Sequence, residues 1–137
     1  MTKILVVGIA GRMGKTIAGC IEDTEGVDLG GGTEQSASPN LGKDVGEAAG
    51  ISNKSIAVSD NLATSLENCD VVIDFTTPES SIETLKVCAE KGKAVVVGTT
   101  GFSPEQREEI EQIGKKIPCV VAPNMSIGVN VLFKLVA

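Results

Sequence analysis

A chain of 137 residues is long enough for one domain with its own core, and 42% hydrophobic with 22% charged residues is the balance of a soluble globular protein. No apolar run is long enough to span a bilayer. Eighteen acidic against twelve basic residues give a net charge of −6, which argues against nucleic acid as a partner. Any phosphate ligand must then be held by local amides and a few cations rather than by the overall field. No basic, apolar leader precedes the first strand, so the expected location is the cytoplasm. The four cysteines, Cys20, Cys69, Cys88 and Cys119, form no C-x-x-C pair, and histidine is absent, so no metal site is expected. Cys20 and Cys88 fall on apolar helix faces and Cys119 in a strand, and they read as small buried hydrophobes.

The chain opens on an apolar strand, Ile4 to Val7, that ends in Gly8-Ile9-Ala10-Gly11-Arg12-Met13-Gly14. A buried strand that enters a glycine turn and then a helix aims backbone N–H groups at an anion. Gly8 allows the sharp turn, Gly11 a close approach of phosphate, and Gly14 close packing of helix on strand. Ala10 stands where the middle glycine of the usual dinucleotide fingerprint falls. A helix is expected over 12–24, with Ile17, Cys20 and Ile21 inward and Gly26 as its stop. A strand over 27–33 contains Gly30-Gly31-Gly32, which points to close approach of backbone or ligand. Glu34 ends it, 20 residues after Gly14, where a dinucleotide fold places the acid for the adenosine ribose.

Residues 35–55 read as a long irregular loop with a helical turn near 45–49. A short strand over 56–58 and a short helix capped by Asp60 follow. Asp70 to Phe75 is a buried strand that runs into Thr77 and Pro78, the N-cap and first residue of a helix closed by Gly92. Ala94 to Val97 is another apolar strand, ending in Gly98-Thr99-Thr100-Gly101. Ser103 and Pro104 open a helix that Gly114 ends. Cys119 to Val121 is the sixth strand and leads into Ala122-Pro123-Asn124-Met125-Ser126. An amphipathic helix with Ile127, Val131, Leu132, Leu135 and Val136 comes last. Alternating strands and helices, with strands apolar on both faces, imply a doubly wound parallel α/β sheet of the Rossmann dinucleotide-binding type, covered on both sides. Every glycine-rich or polar cluster falls at the carboxyl end of a strand, where such folds bind their ligand.

Four motifs occur in fixed order: Gly8 to Gly14, Asp74-Phe75-Thr76-Thr77-Pro78-Glu79, Gly98-Thr99-Thr100-Gly101-Phe102, and Ala122 to Asn130. Together they resemble the dihydrodipicolinate reductase family. The resemblance implies an NADH- or NADPH-dependent oxidoreductase of the diaminopimelate and lysine pathway, whose small-molecule substrate is a dihydrodipicolinate-type ring and whose product is tetrahydrodipicolinate. It implies that Gly8, Ile9, Ala10, Gly11, Arg12 and Met13 hold the pyrophosphate and Glu34 the adenosine ribose. Phe75 would lie near the cofactor. Gly98, Thr99, Thr100, Ala122, Pro123, Asn124 and Met125 would hold the nicotinamide end, with Thr100 also touching a substrate carboxylate. Some members place an arginine directly after the ribose-binding acid and many a basic residue at the position of Thr77. Gln35 and Thr77 here favour NADH, while Arg12 and Lys15 leave NADPH open.

The resemblance also implies a substrate domain carrying a histidine pair and a lysine, and tetrameric assembly of the full-length enzyme. With no histidine present, no catalytic residue is expected in these 137 residues. Residues 1–126 are expected to form the dinucleotide-binding domain and 127–137 the start of a truncated linker or substrate domain, binding cofactor without turnover. The apolar face of the last helix would favour self-association. A stand-alone nucleotide-binding or sensing module is the alternative, and another dehydrogenase family of the same fold a third.

Overall fold

The computed structural model describes residues 1–136, so the final residue of the expected 127–137 segment lies outside the described residues. In chain order the elements are β1 (Thr2–Val7), α1 (Arg12–Glu22), β2 (Val27–Thr33), α2 (Val45–Ala49), α3 (Leu62–Ser65) with a 3-10 turn over Leu66–Asn68, β3 (Val71–Asp74), α4 (Pro78–Lys91), β4 (Ala94–Val97), α5 (Pro104–Gly114), β5 (Cys119–Val121) and α6 (Ile127–Val136). All strands are parallel, in the order β2-β1-β3-β4-β5. Alternation sorts their side chains to two faces. Leu5, Val72, Val95 and Val97 pack with Leu66, Ile82, Leu85 and Ile113 on one face. Val6 and Leu29 pack with Ala18, Ile21, Val45, Ala48 and Val58 on the other. The second cover is incomplete, because α1 and α2 sit over β1 and β2, and Val120 of β5 is 56% exposed.

The expected third strand, over 56–58, is not there. Residues 56–58 make only an antiparallel bridge from Ala57 to Asp44, and the next residue, Ser59, makes a parallel bridge to Thr33. Ser59 donates its N–H to Gly32 O at 3.2 Å and accepts from Glu34 N at 2.9 Å, so the chain touches the outer edge of β2 for one residue. A full strand there would complete the order 3-2-1-4-5-6 of dinucleotide folds. The polar sequence around it (Asn53, Lys54, Ser55, Ser59, Asp60) gives it too little apolar surface to form more than this bridge. The loop is instead organised by Asp44. Its carboxylate caps α2 through Gly46 N and Glu47 N and also takes the N–H groups of Lys54 and Ile56.

Several boundaries shift. α1 ends at Glu22, and Gly26, at φ +84°, serves the turn into β2, its carbonyl accepting from Thr2 N. Asn61 rather than Asp60 caps α3, accepting from Thr64 N at 3.1 Å. Asp70 stands before β3 and takes the Lys3 N–H. Gly114 is the last helical residue of α5 but not a left-handed stop, since the cap is Lys115 in the right-handed conformation. Cys20 is exposed, because Ala18 and Ile21 mark the centre of the buried arc and Cys20 lies at its margin. Thr77, Pro78 and Gly92 delimit α4 as their chemistry dictates, and Ser103 with Gln106 forms a full capping box on α5. The glycine run of β2 is a packing device. The register to β1 skips Gly30, and a Cβ there would lie 2.9 Å from Lys3 Cβ, while one at Gly32 would lie 2.9 Å from the Ile9 side chain.

Candidate functional site

From β1 the chain goes to β2 on one side, while β3 lies on the other, so a crevice opens at the carboxyl end of β1. Gly8, at φ +71°, turns the chain there, and the N–H groups of Gly8 and Ile9 both donate to Thr33 O. Gly11 N closes the turn onto Gly8 O at 3.0 Å. A Cβ on Gly14 would collide with the Gly8 carbonyl, so helix and turn can meet only through glycine. Asp44, Asn61, Thr77 and Ser103 cap α2 to α5 with side-chain oxygens, whereas Gly11 caps α1 with none. No acid lies in the first turn of α1. The leading amides of α1 and its positive dipole end thus face the crevice without a carboxylate of their own, which suits an anion.

Glu34 turns back across this loop, and its Oε1 accepts from Ala10 N at 2.8 Å. That bond fixes the carboxylate and leaves it acceptor capacity for hydroxyl donors. Two cavities flank it. One, of about 350 Å³, is lined by Gly8, Ala10, Gly11, Arg12, Met13, Glu34, Asn40, Phe75 and Thr76. The other, of about 290 Å³, lies between β2 and α4 and shares Gly8, Glu34 and Thr76 with the first. Leu62 and Val87 give it apolar walls, and Gln35, Asp60 and Glu83 polar ones. None of its lining residues is basic.

The structure therefore brings Gly8, Ala10, Gly11, Arg12, Met13, Glu34 and Phe75 together. Ile9 belongs to the same turn, but its side chain is fully buried against α1 and β2, so only its backbone faces the loop. Gly98 packs flat on Phe75, where a Cβ would enter the ring. Thr99 is 4% exposed, and its hydroxyl points inward to Thr76 N and Ser81. Thr100 is exposed. Ala122 N donates to Val97 O, and Pro123, Asn124 and Met125 stand exposed beyond β5, lining neither cavity. That turn is locked by Asn130, whose side-chain amide donates to Asn124 O and Ser126 O. Sequence reasoning missed Asp60, Ser80, Glu83, Thr84 and Val87. The only signal was the 80-84-87 spacing, which gives α4 one small, polar face beside its apolar one.

Asp74 was also missed as a site residue. It ends β3 at 0% exposure, with Oδ1 accepting from Thr76 N at 3.0 Å and Thr76 Oγ1 at 2.5 Å. Its Oδ2 is buried and has no hydrogen-bond partner among the described residues. Nearby, burial, with Asp74 and Cys119 adding to it, pushes the Cys88 thiol up to about 12.

A parallel sheet that turns through glycines into an uncapped helix, with an acid at the end of the second strand, makes this a dinucleotide-binding α/β domain. Comparison with known proteins narrows the class. The family described as "Dihydrodipicolinate reductase, N-terminus" matches residues 2–125, and the chain belongs to this family. It is 46% identical over all 137 residues to a 4-hydroxy-tetrahydrodipicolinate reductase of Citrifermentans bemidjiense, and 47% identical to that of Geotalea uraniireducens, spanning 51% of each. Among solved structures, a dipicolinate-bound dihydrodipicolinate reductase from Paenisporosarcina sp. TG-14 superposes with a TM-score of 0.80 at 26% identity, over 98% of this chain and 52% of that one. An amine dehydrogenase from Mycobacterium smegmatis gives 0.72 at 27% identity, over 88% of this chain and 38% of that one. The chain spans about half the length of the curated relatives it matches.

Proposed function

We propose that these residues form the cofactor-binding half of a reductase that delivers hydride from a reduced nicotinamide to a dihydrodipicolinate-type ring, giving tetrahydrodipicolinate for diaminopimelate and lysine synthesis. The observation that carries this is the single crevice in which the uncapped start of α1, the Glu34 carboxylate and Phe75 meet. Residues 1–126 make up the binding domain. The turn from Gly8 to Met13 takes the pyrophosphate, its amides and Arg12 neutralising the charge. Glu34 accepts from the ribose hydroxyls of the adenosine, and the cavity between β2 and α4 takes the base between Leu62 and Val87. Phe75, Gly98 to Thr100 and Ala122 to Met125 hold the nicotinamide end, with Thr100 reaching a substrate carboxylate. The cofactor supplies the hydride. With no imidazole in the chain, these residues bind and orient it without turnover.

NADH is the better cofactor. Glu34, Asp60 and Glu83 line the adenosine cavity and Gln35 replaces the arginine that would meet a 2′-phosphate, so a doubly negative group would sit among carboxylates. Parallel calorimetric titration with NADH and NADPH tests both statements. NADH binding at least tenfold tighter is expected, and Gln35→Arg is expected to narrow the gap (about 1.4 kcal/mol per factor of ten). Equal or tighter NADPH binding overturns the preference, and no binding of either from folded protein overturns the assignment of the crevice.

A further inference from the structure

We infer that Asp74 is a positioning residue, whose buried carboxylate fixes the Gly98–Thr100 turn, through Thr76 and Thr99, in the geometry that grips the nicotinamide half of the cofactor. This rests on the proposal that the crevice is a nicotinamide-dinucleotide site. In the sheet register Asp74 stands level with Val7 on β1, Val97 on β4 and Val121 on β5. Its neighbours in the row on either side, Val7 and Val97, are both valines, so packing alone calls for an apolar residue there, not a carboxylate at 0% exposure. Asp74 makes no ion pair among the described residues, and Oδ2 is left without a hydrogen bond. A buried carboxylate so placed weakens the fold, and such breaches of the local rule concentrate where function requires them.

What Asp74 holds identifies that requirement. Its Oδ1 clamps Thr76 through both N–H and hydroxyl. Thr76 N also donates to Thr99 Oγ1 at 3.0 Å, and Thr99 Oγ1 is 2.6 Å from Ser81 Oγ. The Asp74 carbonyl accepts from Gly98 N at 2.9 Å. Two successive residues of the turn after β4 are therefore anchored, Gly98 by its backbone to the end of β3 and Thr99 by its side chain to Thr76 and Ser81 beyond it. Gly98 is further trapped against Phe75. Thr100, next in line, is exposed, so its placement is inherited from this clamp. Glu34 and Asp60, on the adenosine side, take no part in it.

ADP-ribose keeps the adenosine, pyrophosphate and second ribose but lacks the nicotinamide, so it separates positioning from general stability. The chain is titrated with NADH and with ADP-ribose, as wild type and as Asp74→Ala, Asp74→Asn and Thr99→Val. Loss of the clamp in Asp74→Ala or Thr99→Val is expected to weaken NADH about tenfold, as for a lost charge-assisted hydrogen bond, and ADP-ribose less than about twofold. Asp74→Asn keeps a carbonyl oxygen for Thr76 and is expected to recover most of the NADH affinity. If Asp74→Ala fails to fold, Thr99→Val, which keeps the side-chain shape, carries the comparison. Folded variants that lose both ligands equally, or that lose neither, overturn the inference. So does a wild type that holds NADH no more tightly than ADP-ribose. A wild type that binds neither ligand overturns the cofactor site itself.

Discussion

Gly14 and Gly11 lie three residues apart in one motif, yet the fold asks different things of them. A methyl group on Gly14 would run into the Gly8 carbonyl, whereas one on Gly11 would lie 3.3 Å from its nearest neighbour, at an ordinary extended φ of −73°. Gly14→Ala is expected to cost about 2 kcal/mol or more by overpacking and to lower the melting temperature by about 6 °C or more. Gly11→Ala should lower melting much less than Gly14→Ala and weaken NADH, because its Cβ would occupy phosphate space. Similar melting temperatures for the two variants would contradict this division. The cysteines give a second comparison. Burial pushes the thiols of Cys69 and Cys88 up, and Cys20 is exposed. An aromatic disulfide reagent should therefore label Cys20 in the native protein and reach Cys69 and Cys88 only on unfolding. The placement of the glycines and of Glu34 was legible from sequence because it follows from backbone conformation and spacing along one short stretch. The Asp74 clamp was not, since Thr76, Ser81 and Thr99 come from three separate segments and meet only when the sheet forms. Cys20 was misplaced because helical spacing marks the apolar arc but not its centre.

At the scale of elements, the segment between β2 and β3 departs furthest from expectation. It has little apolar surface, and two carboxylates tie it down instead. Burial pushes Asp44 up, but the N–H groups of Lys54, Ile56, Glu47 and Gly46 outweigh that and hold it below the ordinary aspartate range. Glu22 is lowered by its bonds to Lys54 and the Ser52 hydroxyl, and Lys54 also reaches Asp28 on β2. Because both carboxylates are depressed in the folded state, their stabilisation is complete above their unfolded values of about 4 and disappears as pH falls through the folded ones. Melting temperature should hold between neutral pH and about pH 5 and decline below about pH 4. Asp44→Asn should melt lower at neutral pH and show a shallower acid decline. A variant with the wild-type acid limb would remove Asp44 from this account. The strands and longer helices were legible because apolar runs, Thr77-Pro78, Gly92 and Ser103-Pro104 each carry their own local cause. The third strand was over-read, since a three-residue apolar run can belong to a strand or to a bridge, and only the neighbouring edge decides which.

For the molecule as a whole, the parallel order and the crevice at β1 followed from alternation and from the position of the glycine turn, but the partial cover of the second face did not. Alternation assigns Val96 and Val120 to that face without saying that α1 and α2 sit over β1 and β2 alone. Because the crevice is built from the ends of β1, β2 and β3 together, cofactor that fills it should stabilise the entire unit. NADH at one hundred times its Kd is expected to add about 2.7 kcal/mol to unfolding, visible as a rise of several degrees in a calorimetric melt. A melt insensitive to NADH would mean that the ligand does not bridge these strands.

The central position of β1 also sets the order in which the fold can assemble as it is made. Its two neighbours are β2, at Val27–Thr33, and β3, at Val71–Asp74. Of the sheet's five strands, the first to leave the ribosome is thus one that needs partners on both sides. At translation rates of about 5–20 residues per second, Val7 waits roughly 3–13 s before Asp74 is even synthesised. For that interval Leu5 and Val6, fully buried in the finished sheet, have β2 as their only available strand partner. An open, apolar edge of this kind is what nascent-chain chaperones bind. The register break at Gly30 bends the early β1–β2 pair, and so makes it a poorer template for a second chain during the wait.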